Sequence, residues 1–361
     1  MSQLYTTRIV KVAPQALYPG AIHAAATLIQ EGQVVAFPTE TVYGLGANAL
    51  DEKAVSKIFA AKGRPATDPL IIHVENRDRL AEVASEIPDL AHDLIERFWP
   101  GPLTLVLPRQ ARVAPGVSAG LPSVAVRMPA HPIALALIKA AGVPIAAPSA
   151  NRFAHSSPTT AQHVLDDLSG RIPLILDGGP TQIGLESTIV DLSGPRLRLL
   201  RPGGVPLEAL VQLIPDLEVV TRYAKVEDGP VIAPGMLLKH YAPRAEFNLF
   251  EGNDDDVRAA LAEEALRLRA EGKRVGLLIA EEDRVPLRAK LGDAPITMIA
   301  VGSLADLDSV AHGLFAALRA LDDSDVDVIL SRGYPPLGLG LAIGDRLVRA
   351  AEGRVNHVGR T

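Results

Sequence analysis

Residues 34–50 read VVAFPTETVYGLGANAL. Val34 to Phe37 form a short apolar run of the kind that fills a buried strand, and the run stops at Pro38. Thr39, Glu40 and Thr41 follow, then the hydroxyl of Tyr43 and glycines at 44 and 46. A simple chain reversal asks for a turn pair such as Asn-Gly, not a row of hydroxyls around a carboxylate. Two readings are open: an ordinary loop whose polar residues act as caps, or a strand that ends in the wall of a polar site.

On either side of this stretch, short β-rich runs alternate with helix-like segments up to about Gly204. Strands are expected at Leu70–Val74, Leu103–Leu107, Val124–Arg127, Ile145–Ala147, Leu174–Leu176 and Thr188–Leu192. Helices are expected over 21–30, 51–62, 76–98, 131–141 and 159–169. The pattern predicts an α/β fold, with residues 1–204 forming one domain around a mixed, twisted sheet. Prolines at 206, 215, 230 and 234 and glycines at 229 and 235 mark 205–243 as a linker. A smaller α/β domain is expected over 244–361, from helix 255–271, strand 274–280, helix 303–321, strand 326–330 and helix 340–351. Gly338, Gly340 and Gly344 do not follow the strand-turn-helix order of a dinucleotide fingerprint.

The 361 residues suffice for two domains and at least one large core. With aromatics at only 4%, that core must be built from Ala, Val, Leu and Ile. A net charge of -6 gives no overall attraction to nucleic acid, so any anion site must be local. There are no cysteines, which excludes disulfides, zinc-thiolate sites and Cys nucleophiles. MSQLYTTRIVKVAP at the start lacks a signal-peptide core, and no apolar run reaches spanning length; a soluble, cytoplasmic protein is the expectation.

Polar clusters recur at the expected strand ends. Lys62 and Arg64 flank Gly63 at a helix end, followed by Pro65 and Asp68-Pro69. Helix capping accounts for Lys62 there, whereas two cations on a stiff turn also suit adjacent phosphates. Arg127 ends an alternating strand. Ser149 and Asn151 follow Ile145–Ala147, either as turn chemistry or as two side chains facing one ligand. Gly178, Gly179 and Gly184 precede Glu186 and Ser187, and glycines of this kind let backbone N–H groups approach an anion, although no Walker G-K-[ST] follows. Arg201 stands before Pro202-Gly203-Gly204. Lys62, Arg64, Arg127 and Arg201, with hydroxyls at 41, 149, 157 and 187, are the set from which one locally positive cavity for a polyanion can be built. The nine histidines show no metal-binding spacing, no G-x-S-x-G elbow occurs, and base-stacking aromatics among basic residues are absent.

In order, FPTETVYGLGANA, KGRPATDPLIIHV, FWPGPLTLVL, SVAVRMPAHP, APSANRFAHSSPT, GLESTIVDL and LLRPGG resemble the YrdC-like threonylcarbamoyl-AMP synthases. PGMLLKHYAP at 234–243 resembles the connecting motif of the two-domain form, and GLGLAIGDRLVRAA its C-terminal Rossmann-like domain. The resemblance implies a nucleotidyltransferase that joins L-threonine, bicarbonate or CO2, and ATP into threonylcarbamoyl-AMP and pyrophosphate. It implies Mg²⁺ carried by ATP, and a product passed to the machinery that modifies tRNAs reading ANN codons, with tRNA contact as an option. Threonine would be held by Thr41, His73, Arg127, Ala147 and Ser187. ATP would be held by Arg64, Asp68, Ser123, Ser149, Asn151, Ser157, Arg201 and Tyr241, with Lys62 and Arg64 acting on the phosphates. Tyr241, with Lys239 and His240, implies a linker that closes as a lid. Asp68 stands where many relatives carry Asn, and Leu237-Leu238 where a basic and an aromatic residue are common. The rival readings are a carbamoyl-adenylating enzyme with another carbamoyl donor, and a double-stranded RNA- or tRNA-binding module.

Overall fold

The structure is a computed structural model that describes residues 5–220, 231–233 and 241–359. One compact unit takes in 5–153, 157–220 and 231–233; the other takes in 154–156 and 241–359.

In the first unit the strands are β1 (Arg8–Lys11), β2 (Val35–Phe37), β3 (Gly44–Asn48), β4 (Ile71–His73), β5 (Leu103–Pro108), β6 (Ser123–Arg127), β7 (Ile145–Ala146), β8 (Leu174–Asp177), β9 (Thr188–Asp191), β10 (Arg198–Arg201) and β11 (Glu218–Val219). They join in the order β1-β8-β2-β3-β7-β4-β6-β5-β9-β10-β11, with parallel and antiparallel pairs mixed. The helices are α1 (Pro19–Gln30), α2 (Glu52–Lys62), α3 (Asp89–Phe98), α4 (Pro132–Ala141), α5 (Ala161–Leu168) and α6 (Leu207–Val211). Residues 34–37 are apolar without a break because the sheet is covered on both faces. Val34 and Ala36 pack in one core with residues of α2 and α3, and Val35 and Phe37 in another with residues of α1 and α4.

Local chemistry sets the element ends. Asp51 caps α2 by accepting from Lys53 N, and Gly63 closes it with φ 65°. The helix expected over 76–98 is divided: a 3-10 turn covers Arg77–Glu82, and α3 begins only after Pro88, which cannot sit inside a helix. The segment read as the start of a linker also differs. Residues 205–220 belong to the first unit: Val205 exchanges hydrogen bonds with the Thr188 hydroxyl, α6 follows, and β11 pairs in parallel with β10. Their prolines punctuate turns rather than a tether.

In the second unit the strands are β12 (Glu246–Glu251), β13 (Val275–Ile279), β14 (Thr297–Ala300), β15 (Val328–Arg332) and β16 (Val355–His357). They are all parallel, in the order β14-β13-β15-β12-β16. Helices α7 (Asp254–Ala270), α8 (Arg284–Leu291), α9 (Leu307–Asp323) and α10 (Gly340–Ala350) make the crossovers that parallel pairing requires. Among the described residues no helix is long and apolar enough to cross a membrane.

Candidate active site

The opening stretch combines turn chemistry with polar contacts to a neighbouring strand end. Thr39 is turn chemistry: its Oγ1 donates to Val42 O at 2.6 Å and accepts from the N–H groups of Thr41 and Val42. That turn presents Glu40 and Thr41 to Arg127, which ends β6. Arg127 donates through Nη1 to Thr41 Oγ1 at 2.9 Å and through Nε to Gly101 O at 3.1 Å, while Nη2 lies 2.6 Å from Glu40 Oε1. Gly46 allows a close approach, since a Cβ there would stand 2.6 Å from both Ile145 and Phe37. Gly44 does not share that duty; a Cβ would find only ordinary contacts at 3.4 Å and beyond.

His73 lies opposite Arg127 in the parallel β4–β6 register. Burial, and then the charge of Arg127, lower its pKa to about 3, so the imidazole is neutral. Its Nδ1 sits 3.2 Å from Ile71 O. Ala147 N donates to the same carbonyl at 2.8 Å. Thr41, His73, Arg127 and Ala147 are thereby gathered at neighbouring strand ends. Ser187, ahead of β9, joins through Thr104 on β5, the two hydroxyl oxygens lying 2.8 Å apart.

The cations are held by backbone. Lys62 is 2% exposed and donates to the carbonyls of Ser149 and Asn151, so the 62–64 and 149–151 motifs meet in space. The helix-capping reading of Lys62 gives way to this cross-link. Arg64 donates to Asp68 O and Pro69 O at 3.0 and 2.8 Å and pairs with the Asp68 carboxylate at 2.9 Å. Asp68 therefore faces a cation inside its own loop. Arg201 donates through Nε and Nη2 to Ser187 O. Gly203 is required here: a Cβ would lie 2.4 Å from Glu186 O.

Other expected residues fall differently. Ser157 Oγ donates to Glu186 Oε1 at 2.5 Å. Ser123 begins β6, four residues and about 13 Å from Arg127. The N–H groups of Gly179 and Gly184 are taken within the protein, by Asp177 Oδ1 and Thr41 O respectively. Tyr241 is a buried residue of the second unit, with φ 62°, its ring 5.2 Å from Phe315 and 5.4 Å below the Arg346 guanidinium. It has the packing duty that the sequence did not disclose. Lys239, His240 and Leu237-Leu238 lie outside the described residues. Sequence reasoning also passed over Gly101 and Thr104, which sit in FWPGPLTL without a distinguishing signal.

Fold and site together define an α/β protein that gathers fixed cations and hydroxyls at the ends of its central strands. Residues 27–203 match the Sua5_yciO_yrdC family, described as "Telomere recombination", and residues 205–352 match "Threonylcarbamoyl-AMP synthase, C-terminal domain". The threonylcarbamoyl-AMP synthase of Pyrococcus abyssi is 48% identical over 93% of this chain and 96% of its own, and that of Bacillus subtilis 46% over 92% and 94%. The crystal structure of P. abyssi Sua5 complexed with L-threonine matches with a TM-score of 0.90 at 45% identity, covering 98% of this chain and all of that one. The chain belongs to the threonylcarbamoyl-AMP synthase family, in its two-domain form.

Proposed function

We propose that this protein makes threonylcarbamoyl-AMP from L-threonine, bicarbonate or CO2, and ATP, with release of pyrophosphate. The observation that carries the reading is Arg127, a buried guanidinium held at a strand end between Thr41 and Gly101 O, beside a neutral His73. A planar cation in that setting suits the carboxylate of an amino acid. It stands next to residues gathered for a second, anionic substrate.

Threonine is assigned to Thr41, His73, Arg127, Ala147 and Ser187. ATP is assigned to Arg64, Asp68, Ser123, Ser149, Asn151, Ser157 and Arg201, with Tyr241 included on resemblance alone. The threonine nitrogen adds to CO2 and loses a proton, giving a carbamate. A carbamate oxygen then bonds to the α-phosphorus as the bond to pyrophosphate breaks. Negative charge grows on the phosphoryl oxygens, where Lys62 and Arg64 act as fixed positive charges that need no reorganisation. The protein contributes positioning rather than a nucleophile of its own. Mg²⁺ is part of the nucleotide substrate. Among the described residues no three His, Cys, Asp or Glu side chains are grouped to hold a metal ion, so none is assigned to it.

The product would pass, in the cytoplasm, to a transferase acting on tRNA. Incubation with ATP, bicarbonate and labelled threonine tests the reading. Pyrophosphate and a labelled adenylate should form only when all three are present, and ATP turnover indifferent to threonine would overturn it.

A further inference from the structure

We propose that Glu40 makes the amino-acid pocket selective for a zwitterion by cancelling the charge of Arg127. The inference rests on the function proposed above, in which Glu40 is assigned to neither substrate. Glu40 and Arg127 are each 3% exposed, so their charges interact with little screening by water.

Orientation and neutralisation are divided among different partners of Arg127. The well-aligned hydrogen bonds go to neutral acceptors, Gly101 O and Thr41 Oγ1, which fix the guanidinium plane but leave its charge intact. Glu40 supplies the opposite charge at 2.6 Å. Its oxygens nevertheless make no aligned hydrogen bond among the described residues. A carboxylate kept only to orient Arg127 would be expected to make such bonds. Glu40 acts through charge, as a positioning residue that need not touch the substrate.

The two histidines beside the pair do not alter its sum. His73 is neutral, for the reasons given above. His131, which feels the Glu40 carboxylate, has its pKa lowered chiefly by burial. The positive charge of Arg127 and the negative charge of Glu40 therefore sum to zero.

A guanidinium whose charge is cancelled in this way offers little to a simple anion, because what Arg127 attracts Glu40 repels. A zwitterion brings its own ammonium and is not penalised. This is discrimination built against the wrong ligand. It matters where bicarbonate and ATP, both anions, are to bind close by.

The test uses the full-length protein and calorimetric titration with L-threonine and with 3-hydroxybutyrate, the same carboxylate without the amine. Wild type should prefer threonine strongly. In Glu40→Gln the threonine-to-hydroxybutyrate affinity ratio should fall by roughly tenfold or more, mainly because the anion binds better, with ATP affinity unchanged. Glu40→Asp keeps the charge and should retain the preference. A Glu40→Gln ratio within about twofold of wild type, with threonine still bound, would overturn the inference alone. Should Glu40→Gln not fold, wild type decides: equal binding of threonine and hydroxybutyrate overturns the proposal, and exclusion of hydroxybutyrate supports it. Failure of wild type to bind threonine at all would overturn the proposed function as well.

Discussion

Arg201 Nε and Nη2 reach the Ser187 carbonyl at 3.1 and 2.9 Å, and Nη2 also reaches the Ser187 hydroxyl at 3.1 Å. With Ser187 proposed for threonine and Arg201 for ATP, one bonded pair would serve both substrates. Arg201→Ala is expected to lower kcat/KM with either substrate varied, by about 1–3 kcal/mol in each case. Steady-state kinetics with each substrate in turn would check this. A loss confined to ATP would separate the two roles.

Replacing Arg127 by Lys removes the planar fork. An ammonium cannot meet Gly101 O, Thr41 Oγ1 and Glu40 in their present directions. The expected result is a KM for threonine raised by about tenfold or more, with KM for ATP within about twofold of wild type. Equal weakening of both would remove Arg127 from the carboxylate site.

Arg64→Ala should harm both chemistry and folding. It removes a fixed cation, at about 2–4 kcal/mol of transition-state stabilisation, and takes the Arg64 charge away from the fully buried Asp68 carboxylate. Combining it with Asp68→Asn should recover much of the melting temperature and none of the activity. Recovery of pyrophosphate release in the double variant would show that Arg64 is structural only.

His73 gives a pH-dependent signature. Above pH 6.5 the imidazole is neutral in both folded and unfolded chains, and the fold keeps its full stability. As pH falls from 6.5 towards 3 the unfolded chain takes up a proton that the folded chain refuses, because the folded pKa is lowered to about 3. Stability should therefore decline by up to about 1.4 kcal/mol per pH unit from this residue alone. His73→Gln should flatten the slope between pH 6 and 4 by about one proton, as read from urea unfolding at several pH values. An unchanged slope would mean that His73 titrates normally in the fold.

Legibility in the sequence followed burial. β5, β6 and β8 are apolar or alternating and were readable, as were helices with a clear start or stop, such as α2 with Asp51 and Gly63. β3 was not, because GLGAN looks like a loop; its Gly46 is a strand residue pressed against Ile145 and Phe37. β1 was missed because RIVK is a short, mostly exposed edge strand, and β12, β14 and β16 because, unlike the wholly buried β13 and β15, they are partly exposed. At the site, residue types disclosed the cations and hydroxyls but not their partners. Carbonyls hold Lys62 and Arg201, and a carbonyl carries no sequence signal.

The grip of the Ser149 and Asn151 carbonyls on Lys62 has a bearing on self-inflicted chemistry. A mixed anhydride such as the proposed product is an electrophile, and a lysine amine beside it would be acylated whenever its nitrogen exposed a lone pair. That requires losing a proton, and a neutral amine is a weaker donor to the Ser149 and Asn151 carbonyls than the ammonium is. If Lys62 stabilises phosphate charge as proposed, the same two carbonyls favour its charged form, which has no lone pair with which to attack the acyl group.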